Sequence, residues 1–179
     1  MARGFPLTAS DFAEFIRYVE GGLMGFMCLI FIGDMGRGNI SQLLRAVYGY
    51  PQWFVPLIGM WQGGITVATF GEGGKYQQVG QHMLAFLMGG CAYTHLRRGT
   101  RKKEVNSALV LLAFTILLPY LQGRDEDMVM WAAKQLGLAA VGFGVGEIMG
   151  KTVMEKVEVP AAPAKVVEGK EKSEEKKDK

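Results

Sequence analysis

Cysteine is scarce: Cys28 and Cys91 are the only two in 179 residues, and each lies inside an apolar run, where a thiol behaves as a small buried hydrophobe. That excludes a disulfide framework of the kind that holds small secreted domains together. Histidine is equally rare. His82 and His95 fall on one expected helix, about 20 Å apart along its axis and near opposite faces, so they cannot share a metal or a haem iron. No Cys, His and carboxylate cluster has zinc or iron-sulfur spacing, and no serine stands in a nucleophile elbow. The expectation is no metal site, no catalytic residue and no cofactor that the chain itself ligates. A net charge of +3, with its basic residues near helix ends, also argues against nucleic acid as a partner. The N-terminal residues lack a basic region followed by an apolar core and a small-residue cleavage site, so no removable signal peptide is expected.

Half the residues are hydrophobic and 25 are glycine, a composition that points to an all-α integral membrane bundle. Five membrane helices are expected, at about 11–33, 51–70, 77–96, 105–121 and 128–150, with four spans and a peripheral helix at 128–150 as the alternative. They follow an N-terminal segment, 1–10, and precede a tail, 151–179, whose mixed charge and prolines preclude a packed core. In the first helix, Ser10 or Asp11 is the expected cap. Glu14, Arg17 and Glu20 are spaced to pair along one face. The apolar run Gly21 to Gly33 reaches spanning length with the turns before it. Glu20 reads as a residue at the membrane entrance, salt-bridged to Arg17 or hydrated, with a proton relay as the alternative.

Residues 41–48 suit a short interfacial helix. Pro51 fits a first helical turn, and Trp53 supplies an aromatic anchor at headgroup level. Gly71 to Tyr76 is a glycine-rich turn short enough to force an antiparallel helical hairpin, and it lacks the Lys-Ser/Thr pair of a phosphate-binding loop. Small residues mark the expected packing faces: Gly21 and Gly25 on the first helix, Gly59 and Gly63 on the second, and Gly142, Gly146 and Gly150 on the last. Gln62 is expected to bond between helices. The methionines read as adaptable packing.

If all five helices span, one side carries Arg37, Arg45, Arg97, Arg98, Arg101, Lys102, Lys103 and the Lys-rich tail. The positive-inside rule then places the basic loops and the tail in the cytoplasm, with Arg97 to Lys103 at headgroup level. The final Lys176-Lys177-Asp178-Lys179 is similar to a dilysine retrieval signal, which would put a eukaryotic chain in the endoplasmic reticulum; another organelle membrane is the alternative.

From Arg17 to Leu121 the chain resembles the DoxX-like family of small integral membrane proteins. The likeness lies in the order of features: Arg17 before a glycine-rich helix, Gly49-Tyr50-Pro51, Val55-Pro56-Leu57-Ile58-Gly59, and Met88-Gly89-Gly90-Cys91-Ala92-Tyr93-Thr94-His95-Leu96-Arg97-Arg98-Gly99. The chain departs in carrying Asp34 where the family often has Lys, and in its tail. The resemblance implies a four-helix membrane core, to which 128–150 is an addition. Its name comes from a subunit of a thiosulfate:quinone oxidoreductase, some eukaryotic relatives act as membrane chaperones, and many members have no known activity, so it implies fold more than reaction.

Two functions follow. The first is a non-catalytic accessory, assembly or chaperone-like component of a larger membrane complex. Its partners would be the lipid bilayer and, through the glycine faces, another membrane protein or a second copy. The second is a quinone-binding subunit of an oxidoreductase, with the headgroup between the second and third membrane helices near Gln62, Tyr93 and His95.

Overall fold

Thr8 opens the first helix, α1 (Ala9–Gly33). Its hydroxyl accepts the Asp11 N–H at 3.2 Å, while the Asp11 carboxylate accepts the Thr8 N–H at 2.9 Å. This reciprocal capping box moves the start upstream of the expected Ser10 or Asp11, because Asp11 serves as the third helical residue. The computed structural model describes residues 8–35, 38–97, 102–124 and 127–153. Arg37, Arg98, Arg101, the first seven residues and the tail from 154 onward, with its dilysine, lie outside the described residues.

Asp34 ends α1 and starts α2 (Asn39–Tyr48). Its carboxylate accepts N–H groups from Ile40 at 3.1 Å and Ser41 at 2.9 Å, together with the Ser41 hydroxyl. Those bonds hold the carboxyl below the usual carboxylate range, the Ser41 hydroxyl acting most strongly. Gly49 then stops α2 in the left-handed conformation, φ 76°, which glycine adopts without steric cost. Pro51 belongs to the following turn, its carbonyl accepting the Phe54 N–H at 3.0 Å, so α3 (Phe54–Phe70) begins three residues later than the first-turn placement of Pro51 implies.

A 3₁₀ turn (Gly71–Gly74) joins α3 to α4 (Gln77–Arg97), passing through positive φ at Glu72, Gly73 and Gly74. Helix α5 (Lys102–Leu121) starts earlier than expected, and Pro119 sits within its last turn. Helix α6 (Met128–Thr152) is capped by Asp127, which accepts the Val129 and Met130 N–H groups.

Numbering across the contacts fixes the directions. Gly25 faces Thr66, Gly63 faces Cys28 and Gly59 faces Phe31, so α1 and α3 are antiparallel. Gln81 bonds Glu20, and Leu84 shares a core cluster with Met24, Ile65, Met88 and Ala108, so α4 runs with α1. Leu118 packs on Ala13 and Ile16, which turns α5 back. His82 meets Gln135, Phe86 meets Gly142 and Tyr93 meets Gly146, so α6 runs with α4. Five helices therefore traverse the bundle in alternating directions. One end, here the basic end, gathers α2, the start of α5 and the last residues of α4 and α6. The other, the turn end, gathers Thr8, the 3₁₀ turn, the end of α5 and the start of α6.

The polarity of this bundle is inverted relative to a water-soluble one. Phe26, Leu29, Val67, Val129 and Ile148 are more than 60% exposed, whereas Glu20, Gln62, Thr69, Gln77, Gln81, Thr94, Thr115 and Gln135 are buried. Soluble monomers rarely expose contiguous apolar surface on this scale. Helices α1 and α6 have the length and apolarity to cross a membrane, and Val105–Leu121 is a shorter apolar helix.

Candidate functional site

Two regions of the bundle carry chemistry, one toward each end. In the half nearer the turn end, Glu20 of α1 is fully buried and accepts a 2.6 Å hydrogen bond from the Gln81 amide of α4. Glu20 is thus neither hydrated at the membrane edge nor paired with Arg17, because it points into the bundle toward α4 while Arg17 reaches Glu14 and the end of α3. Arg17 bonds Glu14 at 3.2 Å and the Thr69 carbonyl at 3.3 Å, and stacks over Phe70. It binds α1 to the end of α3 and to the turn, where it lies against Gly74. At the base, the Gln77 side-chain Oε1 accepts from both Gln122 and Arg124, at 3.2 and 3.0 Å.

A second buried polar group joins α4, α5 and α6. The Gln135 amide contacts His82 Nδ1 at 3.0 Å, and Trp131 stacks beside that ring while its indole N–H donates to the Thr115 carbonyl at 2.9 Å. The Oε1 atoms of Glu20, Gln62, Gln81, Gln122 and Gln135, the Thr69 hydroxyl and Gln77 Nε2 are buried without a hydrogen-bond partner among the described residues. Buried polar groups specify helix arrangement in a membrane, so this half reads as the part that fixes which helix faces which.

The half nearer the basic end is apolar and grooved. A lateral groove of about 250 Å³ lies between α3, α4 and α6, walled by Phe54, Leu57, Trp61, Phe86 and Met149 with Gly90, Gly142 and Gly146 among its lining. Trp61 is held in the wall by donating its indole N–H to the Met83 carbonyl at 3.2 Å, and it stacks on Phe86. Toward the basic end the groove meets one polar pair: the Tyr50 and Thr94 hydroxyls, 2.8 Å apart, with Thr94 also bonded to the Gly90 carbonyl at 2.9 Å. Since Thr94 donates to Gly90, Tyr50 is the donor between them. Burial pushes the Tyr50 phenol far up from its ordinary value, so it remains neutral.

Glycine makes the α4–α6 contact that shapes this groove. A Cβ added at Gly89 would lie 1.9 Å from the Ala139 carbonyl oxygen, and one at Gly142 would lie 1.9 Å from that of Phe86. The two backbones touch. Gly146 and Gly150 face Tyr93, and Gly150 also receives the Arg97 guanidinium. On the other side of the bundle, Gly21 faces Phe70, Gly25 faces Thr66, Gly59 faces Phe31 and Ile32, and Gly63 faces Cys28. Every one of these glycines meets another helix of the same chain.

The trio Gln62, Tyr93 and His95 is not brought together. Gln62 is buried in α3, Tyr93 packs edge-on against Phe143 of α6, and His95 contacts the Tyr48 hydroxyl at 3.4 Å. None of the three lines the groove. Gln81, Gln135 and Gly89 were not singled out in the sequence as site residues. The available signal was periodic: Gln77 and Gln81 lie one helical turn apart, and Gly89 is the small residue that Gly142 requires opposite it. Among the described residues no group of three or more His, Cys, Asp or Glu side chains is placed to hold a metal ion.

A model of the DoxX-like family matches residues 24–118, more than half of the chain. No curated protein and no solved structure matches. The matched stretch runs from the middle of α1 into the last turns of α5, and α6 lies beyond it.

Proposed function

From the premise that the chain belongs to the DoxX-like family, we propose a multi-pass, non-catalytic membrane protein whose working part is the lateral groove, which takes up an apolar, chain-like molecule dissolved in the bilayer. It is a membrane protein with an all-α bundle. Five alternating helices suit five crossings, and the positive-inside rule then assigns the basic end to the cytoplasm.

The observation that carries this reading is the groove itself: an aromatic and aliphatic cleft, open to the side of the bundle, with a single hydroxyl pair at one end. Concave apolar sites with a few placed polar groups are the common form of small-molecule sites. The prenyl chain of a quinone and the acyl chain of a lipid both fit that description. An accessory role in a larger complex loses its motivating feature, because the glycine faces meant for a partner are occupied by the chain's own helices.

The test is retention of a ligand. The full chain purified in mild detergent should carry a stoichiometric lipid or prenylquinone, identified by extraction and mass spectrometry. Leu57→Trp, at a half-exposed groove wall, should release it with the helix content unchanged. Retention unaffected by Leu57→Trp, or a stoichiometric protein partner in place of any ligand, sinks the proposal.

A further inference from the structure

We infer that the lateral groove selects a neutral, chain-like lipid alcohol whose hydroxyl donates to the Tyr50–Thr94 pair; this rests on the groove being a binding site. The strong side-chain donors of the lining are Tyr50, Thr94 and Trp61, and each already donates. A carbonyl can only accept, so Thr94 gives its one hydroxyl hydrogen to Gly90, 2.9 Å away. The Tyr50 phenol, 2.8 Å from the Thr94 oxygen, therefore gives its own hydrogen to Thr94. Trp61 gives its indole N–H to the Met83 carbonyl at 3.2 Å. Cys91 adds only a thiol, a weak donor. A hydroxyl oxygen that has donated keeps lone pairs, so the pair offers acceptor capacity to the groove and no hydrogen.

A molecule that lodges its polar end at this pair must bring the hydrogen itself. An alcohol does. A ketone, a quinone, an ester or a phosphatidylcholine presents acceptors alone, and acceptor against acceptor in a desolvated place leaves a hydrogen bond unmade. Charge is disfavoured by the same lining, which holds no Lys, Arg, His, Asp or Glu, whereas a charge taken out of water needs a partner. The pair stands at the basic end of an apolar cleft of about 250 Å³, so the hydroxyl lies toward the membrane surface and the chain passes Phe54, Trp61 and Phe86 toward the interior. Diacylglycerols, prenols and prenylquinols share this chemistry.

The experiment titrates the full chain, delipidated in dodecyldimethylamine oxide, a detergent without hydroxyl groups, with methyl tetradecyl carbinol or methyl tetradecyl ketone. The two probes share one skeleton and differ in offering an O–H or a bare carbonyl. Bound probe is counted by native mass spectrometry. The carbinol should bind about fivefold more tightly, the worth of one net hydrogen bond. Thr94→Val frees the Tyr50 hydrogen to meet a carbonyl, so the ketone should rise to the carbinol's affinity, a gain that a misfolded variant cannot give. Thr94→Ser keeps the hydroxyl and should keep the fivefold ratio. Comparing ratios between variants cancels the probes' unequal partition into detergent. Leu57→Trp should weaken both probes. Competition with dioctanoylglycerol, farnesol and decylubiquinol then separates the sources, the one that displaces the carbinol at the lowest concentration being the class bound.

A ketone that binds the unsubstituted chain as tightly as the carbinol, or a preference that survives Thr94→Val, overturns the alcohol assignment; the groove reading stands when Leu57→Trp still weakens both probes. Probe binding unaffected by Leu57→Trp overturns both. Displacement of the carbinol by phosphatidylcholine or decylubiquinone at a lower concentration than by any of the three hydroxyl donors gives the groove to an acceptor and overturns this inference alone.

Discussion

Glu20 shows how much one polar residue decides when it is placed inside a membrane bundle. Its partner Gln81 comes from a different helix, sixty-one residues away, and no apolar substitute at either position preserves the contact. Gln81→Leu should therefore destabilise the bundle by about 1.5 kcal/mol, because it leaves a buried carboxyl without its donor. Replacing both residues by Leu should recover most of that loss, since removing both partners costs far less than orphaning one. Unfolding in mixed detergent, followed by helix content, separates the two outcomes; equal losses in the single and double variants would mean the bond contributes nothing. Asp34 is the corresponding residue at the basic end. Its carboxyl is held low by the Ser41 hydroxyl and the α2 N–H groups, so the cap is fully present above the ordinary carboxylate pKa of about 3.9. It is lost as pH falls through the lower folded value. Amide exchange at Ile40 and Ser41 should thus keep the same protection from pH 8 down to about 5 and lose it only below about 4, whereas Asp34→Ala should expose those amides at every pH.

At the scale of elements, the union of α4 and α6 is the closest in the molecule, and it joins a helix of the family-matched stretch to one beyond it. Gly89→Ala and Gly142→Ala each drive a Cβ into a backbone carbonyl, which cannot rotate away as a side chain can. Each should cost about 3 kcal/mol, the upper part of the range for overpacking. Gly137→Ala and Gly144→Ala lie on the same helix with nothing within 4 Å, and should stabilise it by roughly 0.5 kcal/mol through backbone entropy alone. Comparison of the four unfolding midpoints tests the assignment of faces, and a common direction for all four would contradict it. The glycine spacing in α6 was legible in the sequence because a four-residue repeat marks one helical face. Its partner was not, since periodicity names a face without naming what covers it. The same limit hid Gln81 from Glu20: local pairing rules favoured Arg17, three residues away, over a glutamine on another helix. The groove was hidden for a related reason, being the space left where three helices diverge around Gly90, Gly142 and Gly146.

For the whole molecule, the alternation of α1, α3, α4, α5 and α6 assigns a side to every connection. The inverted polarity follows from the same arrangement: apolar residues such as Phe26, Leu29 and Val67 face outward on all sides while the glutamines meet within. Such a surface is stable only against lipid, and the backbone is satisfied within the helices, as a bilayer requires. Because α6 runs with α4, its last residues emerge at the end that holds α2 and the last residues of α4, away from the 71–76 turn. A peripheral α6 lying along the membrane surface would instead leave the chain after it on the side of that turn. In a background with Cys28 and Cys91 replaced by Ala, single cysteines are introduced as Gln52→Cys, Lys75→Cys and Lys170→Cys and treated with an impermeant maleimide on intact cells. Gln52→Cys and Lys170→Cys should be protected and become reactive together when the membrane is permeabilised, while Lys75→Cys reacts from outside at once. Lys170→Cys grouping with Lys75→Cys would reduce the crossings to four. The converse labelling of all three would keep five crossings and reverse the bundle, placing the Tyr50–Thr94 end of the groove on the outer side of the membrane.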